Sequence, residues 1–318
     1  MGSGTALFRR ALDQTFDAAR HAALATELVA LRPQIAAALE EARLARWVHP
    51  FDDQTYNPPL PVAENLVFAT PAPPVTAEVL AEQTDFLGQL RELDLEDDLL
   101  NLAENVVELL RQIFGATGTD HPLFQKLGLE QATYEAALDL PRKRAAGKKF
   151  ENEEIAALLA VPMRLSAETI GPAFSDDIKE RILDIRRQHG AALRAALEPL
   201  FVPLEPDKPC AGLTVLENTL YGKISDAAGS RGEDIRKIVA QVIIDAGFGQ
   251  DVLTLIFDVP IALGGSNLPA LLAETLAISR ATIKRPDILV LEDCLASFDA
   301  SAQTTMVENL RTLLPQTT

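Results

Sequence analysis

The chain has 318 residues, 47% of them hydrophobic and 24% charged, with a net charge of −17. That charge excludes a nucleic-acid partner, whose phosphates demand a cationic footprint, and no apolar run approaches the roughly 18 residues of a membrane span. Two isolated cysteines, Cys210 and Cys294, supply no disulfide framework and suit a reducing compartment, so a cytoplasmic location is expected.

Met1-Gly2-Ser3-Gly4 reads as an artificial start, and the natural protein is expected to be longer. From residue 6 to 48 one or two helices are expected, because Leu24, Leu28, Leu31 and Ile35 recur on one helical face. Arg32-Pro33 is the expected break. A proline-rich stretch, Phe51 to Pro74, follows and contains Val62-Ala63-Glu64-Asn65-Leu66-Val67-Phe68. A second version stands at Val215-Leu216-Glu217-Asn218-Thr219-Leu220-Tyr221-Gly222, offset by 217 − 64 = 153 residues. An acid, an asparagine and an aromatic residue recurring in that order point to duplication around a long insert, although helix starts also reuse these residue types.

Between the two copies the pattern is helical. Leu95, Leu99, Leu102, Val106, Leu109 and Ile113 form one stripe, Ile155, Leu158 and Leu159 another, and Ile178, Ile182, Ile185 and Leu193 a third. The acidic faces Glu92–Asp98 and Glu151–Glu154 read as solvated surface. After the second copy, Ser230 is placed to cap a helix whose Ile235, Val239, Val242 and Ile243 face a core and which ends at Gly247.

Residues 263–299 carry the chemistry: a glycine turn, a helix, a basic turn Lys284-Arg285-Pro286, an apolar strand Ile288–Leu291, then Glu292 and Asp293. A carboxylate pair at the carboxyl edge of a buried strand is where α/β nucleotide enzymes hold Mg²⁺ and activate water. It is also a common way to solvate a strand end.

This stretch resembles the second half of an ATP-binding cassette (ABC) ATPase domain. Asn267-Leu268 matches the lead-in to the signature, Leu276–Ala281 its helix, Ile288–Leu291 the Walker B strand and Ala296-Ser297-Phe298-Asp299 the final loop. Phe51-Asp52-Asp53-Gln54-Thr55-Tyr56-Asn57-Pro58, with the two Glu-Asn motifs, is similar to bacterial ABC transporter proteins whose cassette is interrupted by a helical insert. The resemblance implies Glu292 and Gln54 as metal contacts and Asp293 as the water-polarising group. It implies Asn267, Pro269, Ala270, Ser297 and Asp299 as nucleotide contacts, and ATP and Mg²⁺ as cofactors of the parent protein.

The departures fall on the chemistry. Pro269-Ala270-Leu271-Leu272 replaces Ser-Gly-Gly-Gln, so the helix start survives without its hydroxyl and with bulk where a phosphate should fit. Glu292 and Asp293 reverse the family's Asp-Glu order, and a misplacement of about 1 Å can cost ~10²-fold in rate. The nearest approach to a Walker A loop, Ala145-Ala146-Gly147-Lys148-Lys149, lacks the earlier glycine and the hydroxyl. Of the four histidines, 21, 49, 121 and 189, none is placed as the switch residue or has metal-ligand spacing.

The expected architecture is therefore mainly α with a small α/β portion: a helical insert plus a partial P-loop NTPase core lacking Walker A. Its expected parts are 1–4 as scar, 5–76 as N-terminal helices with the first Glu-Asn segment, 77–211 as the insert, and 212–318 as the ABC-like helical subdomain with the Walker B half. The resemblance implies a cytosolic piece of a transporter's ATP-binding subunit, on the cytoplasmic face of the inner membrane in its parent, with weak or absent nucleotide binding. Implied partners are a transmembrane permease region, the Walker A half of the same protein and a second ATPase subunit. The competing reading is a helical interaction or dimerisation scaffold derived from a cassette.

Overall fold

After α1 (Gly2–Leu12), the stripe of residues 24–35 forms two helices, α2 (Ala22–Ala30) and α3 (Arg32–Glu41), bent by 42° at Leu31. Pro33 falls in the first turn of α3, where a missing N–H costs no hydrogen bond, so the sequence break is a tight corner. Leu24, Leu28, Leu31 and Ile35 are all buried. The computed structural model describes residues 2–71, 76–114, 124, 127, 129, 131–145, 150–258, 268, 270–292, 294–298 and 300–317. They divide into a larger unit, Leu12–Gly249, and a smaller one, Met1–Ala11 with Gln250–Thr318.

In the larger unit, β1 (Val48–Pro50), α4 (Val62–Val67) and β2 (Ala69–Pro71) come first. The helical middle follows as α5 (Ala77–Glu82), α6 (Thr84–Glu92), α7 (Glu96–Phe114), α8 (Gln131–Leu138), α9 (Leu140–Ala145), α10 (Asn152–Arg164) and α11 (Asp176–Ala196). Thr76 and Ser175 cap α5 and α11 with their hydroxyls, and Glu151 with Glu154 closes a capping box on α10. Leu95, Leu99, Leu102 and Val106 lie in one continuous core with Leu158, Leu159 and Ile182. The expected stripe fails at its end: Ile113 is 55% exposed, while Leu110 and Phe114 are buried. A pattern spaced by 3.5 residues drifts about 20° per heptad on a 3.6-residue helix, and α7 is long enough for the buried face to move on by one residue. Phe114 then packs edge-on against Phe124, and Phe124 against Tyr134, with centroids 5.4 and 5.1 Å apart.

The unit closes with β3 (Phe201–Pro203), α12 (Val215–Leu220), β4 (Gly222–Ile224) and α13 (Arg231–Asp245). Ser230 precedes α13 without a side-chain cap bond, and Gly247, at φ +90°, lies just past its end. The strands form two antiparallel ribbons, β1 with β4 and β2 with β3. Residues 212–249 fall in the same compact unit as the helices of 77–211, and that unit ends at Gly249. The cause is strand exchange, since β4 completes a ribbon that begins at residue 48.

The smaller unit contains α14 (Gly249–Thr254, shared at its first residue), α15 (Ala270–Thr282) and α16 (Ala300–Leu313). Among its described residues Phe8, Ala11, Val252, Leu255, Ile278, Phe298 and Leu310 are buried. Ile288–Leu291, expected as a buried strand, is coil outside any ribbon, with Ile288 71% and Val290 80% exposed. A Walker B-type strand is stabilised by hydrogen-bonded neighbours on its edges and helices on both faces. Among the described residues of this unit no other strand exists to pair with it.

No single described helix is long and apolar enough to cross a membrane; the bent pair α2–α3 passes on length and composition alone, and its apolar face is buried.

Candidate functional site

The second half of the ABC-like stretch is partly visible. Ala270 opens α15 and is exposed. One turn on, the Glu274 carboxylate accepts the Ser297 N–H at 3.1 Å and its hydroxyl at 2.7 Å. The structure thus brings the final loop onto the first turns of the helix, with Ser297 spent on Glu274. A carboxylate in that place opposes a phosphate drawn by the helix dipole. Glu292 is exposed, on a bend after the coil 288–291. Asn267, Pro269, Asp293 and Asp299 lie outside the described residues, so the proposed catalytic carboxylate is not placed. Among the described residues no three His, Cys, Asp or Glu side chains gather as a metal would require.

The geometry is richer in the larger unit, where the Glu-Asn repeat proves to be a repeat of structure. Asn65 donates from Nδ2 to the carbonyls of Asn57, Leu60 and Pro61 and accepts the Asn57 N–H at 2.9 Å. Asn218 donates to the carbonyls of Cys210, Leu213 and Thr214 and accepts the Cys210 N–H at 2.8 Å. Each partner is offset by the same 153 residues (210 − 57, 213 − 60, 214 − 61). Both asparagines are fully buried, and each staples a loop to the first turn of its own helix, α4 or α12.

The offset extends well beyond the motif. Phe68 and Tyr221 both end their helices in the left-handed region, at φ 46° and 44°. The strands β1 and β3 correspond, as do β2 and β4, and each copy lends a strand to the other. The Phe51 N–H donates to the Tyr221 carbonyl and the Leu204 N–H to the Phe68 carbonyl, the same bond in both directions. At the exchange, a Cβ on Gly222 would lie 2.4 Å from the His49 carbonyl oxygen, which is why a glycine stands there.

An arginine anchors each copy, and sequence reasoning did not find either. Arg32 donates to the carbonyls of Asn218, Pro206 and Lys208 and lies 4.6 Å over the Tyr221 ring. Arg186 donates to the carbonyls of Asn65 and Thr55 and lies 5.4 Å over the Phe68 ring. Their separation, 186 − 32 = 154, is one residue from the repeat offset and was the only signal in the sequence.

The copies differ at their caps. Thr214 and Glu217 form a reciprocal capping box, the Thr214 N–H and hydroxyl donating to Glu217 at 2.9 and 3.0 Å, and Lys223 lies 3.7 Å from the same carboxylate. In the first copy the cap is Pro61, which has neither N–H nor hydroxyl, so Glu64 cannot close that box. Glu64 is buried, and desolvation pushes its carboxyl up to about 7, with Lys223 opposing and Glu217 adding to the shift.

Gln54 sits on the first loop, where its N–H donates to Asp52 and its carbonyl accepts from Arg187. It lines a cavity of about 620 Å³ with Arg186, Arg187, Arg194, Asp52 and Asp53. Three guanidiniums against two carboxylates make poor surroundings for the metal contact expected of Gln54.

A stretch of 105 residues is 32% identical to the probable multidrug resistance ABC transporter ATP-binding/permease protein YheI of Bacillus subtilis (strain 168), covering 31% of this chain. The matched part is 16% of that protein's length, so the chain corresponds to a minor share of it. No family model matches the chain. No solved structure matches it.

Proposed function

We propose that this chain is part of the ATP-binding side of an ABC-type transporter, relaying nucleotide state to a membrane permease region while hydrolysing little or no ATP itself. The observation that carries the reading is the 105-residue likeness to a protein named as an ATP-binding/permease ABC transporter. The packing of the Ser297 loop against the α15 helix start supports it. The exposed apolar run Ile288–Leu291 fits a strand whose neighbours come from another segment, the Walker A half, or from a second ATPase subunit. Glu292 would then approach Mg²⁺ and Asp293 the water. The altered signature and the Glu274 carboxylate leave nucleotide weakly held by Asn267, Pro269, Ala270, Ser297 and Asp299.

Calorimetry with Mg·ATP and the isolated chain tests the nucleotide half of this reading. Binding weaker than about 1 mM is expected, and a tight, Mg²⁺-dependent isotherm contradicts it. Detergent extraction of native membranes, followed by capture on the tagged chain, tests the coupling half. A stoichiometric permease polypeptide is expected, and a purely soluble set of partners refutes it.

The scaffold reading is favoured by the same exposed run, since Ile283, Ile288 and Val290 are each more than 70% exposed. Light scattering distinguishes the two: a nucleotide-independent dimer abolished by Ile288→Ser with Val290→Ser supports the scaffold.

A further inference from the structure

The two copies treat their anchoring arginines differently, and the difference opens onto the cavity beside Gln54. Arg32 uses Nε for the Asn218 carbonyl and both Nη atoms for further carbonyls, so every nitrogen is engaged. Arg186 meets the corresponding carbonyls of Asn65 and Thr55 with its two Nη atoms, and its Nε is buried with no partner. Arg186 is only 8% exposed, which makes an unanswered cationic N–H costly. Arg194, two turns further along α11, also lines the cavity and also has a buried, unpartnered Nε. Arg187 lies between them in sequence and adds a third guanidinium, hydrogen bonded to the Gln54 carbonyl.

Of the two lining carboxylates, Asp52 is occupied by the Gln54 N–H and the Thr55 hydroxyl, at 2.9 and 3.1 Å. Asp53 acts on Arg186 through space. In a protein of net charge −17 this cavity is therefore lined by three guanidiniums and two carboxylates, a local excess of cation. Its other wall is apolar and aromatic: Leu204, Phe51 and Tyr221, the two rings meeting edge to face at 5.5 Å. A volume of about 620 Å³ is ordinary for a small-molecule site.

We propose that this cavity binds a small molecule with an apolar or aromatic body and an oxyanion head, the head accepting from the Nε groups of Arg186 and Arg194. Guanidinium forks suit phosphate and carboxylate alike, so the shared chemistry is an oxyanion on an apolar body. Its lining residues all belong to the larger unit, whereas the nucleotide contacts proposed above fall in the chain segment 250–318.

The test is calorimetry of the full chain with phenyl phosphate, benzoate and inorganic phosphate at one ionic strength. Saturable one-to-one binding of phenyl phosphate or benzoate is expected, tighter than inorganic phosphate because the ring packs against Phe51 and Tyr221; which of the two binds identifies the head group. Arg194→Gln is expected to weaken it about 10- to 100-fold, the loss of one charge-assisted hydrogen bond. Asp53→Asn, at an exposed position, is expected to tighten it several-fold. Absence of saturable binding of both aromatic oxyanions below about 1 mM overturns the proposal. So does an affinity that neither variant alters.

Discussion

Replacing Asn65 by alanine is the sharpest probe of the duplicated staple. Asn65 makes three donor bonds, at 3.0, 2.8 and 3.3 Å, and one acceptor bond at 2.9 Å, and is wholly buried. Two of the three carbonyls keep another partner after truncation, Asn57 through the Leu60 N–H and Pro61 through the residue 65 N–H. The Asn57 N–H and the Leu60 carbonyl do not. Two buried orphans at about 1–3 kcal/mol each give a loss of about 4 kcal/mol, a large share of a typical domain's stability. The assay is urea unfolding followed by the fluorescence of Trp47, the sole tryptophan, which lies next to β1 in the larger unit. Because the bonds are repeated at Asn218, Asn218→Ala is expected to cost the same within about 1 kcal/mol. If both variants lose less than about 1 kcal/mol with unchanged denaturant slope, the staples do not hold the loops and the reasoning fails.

Three further outcomes follow from the same geometry. Gly222→Ala sets a methyl against the His49 carbonyl at the strand exchange and is expected to cost about 1–3 kcal/mol by overpacking, read by thermal unfolding; a neutral result would show that the ribbon yields freely. Glu64, raised to about 7 in the fold from an ordinary value near 4.5, binds its proton more tightly folded than unfolded between those pH values. Stability is therefore fullest below pH 4.5 for this group and falls as pH rises through 7, by about 3 kcal/mol in order of magnitude, while Glu64→Gln removes the fall; a wild-type profile that the substitution leaves unchanged between pH 5 and 8 counts against it. The amides of residues 288–291 are expected to exchange without protection in the isolated chain, and slow exchange there would restore the strand.

The helices of the larger unit were legible because their signal is local. An α-helix closes its hydrogen bonds within four residues, so an apolar period such as Ile155, Leu158, Leu159 or Ile235, Val239, Val242 names both the element and its buried face. The Glu-Asn repeat was legible for the same reason, its asparagine bonding carbonyls only four to eight residues away. What the tertiary structure decided was every interaction whose partner lies far along the chain: the exchange of β1 with β4 and β2 with β3, the arginines that anchor each copy, and the unit boundary at 249/250. The apolar run Ile288–Leu291 makes the same point from the other side. A strand bonds outside itself, and side chains of strand-forming type remain coil wherever no neighbouring edge is there to receive them.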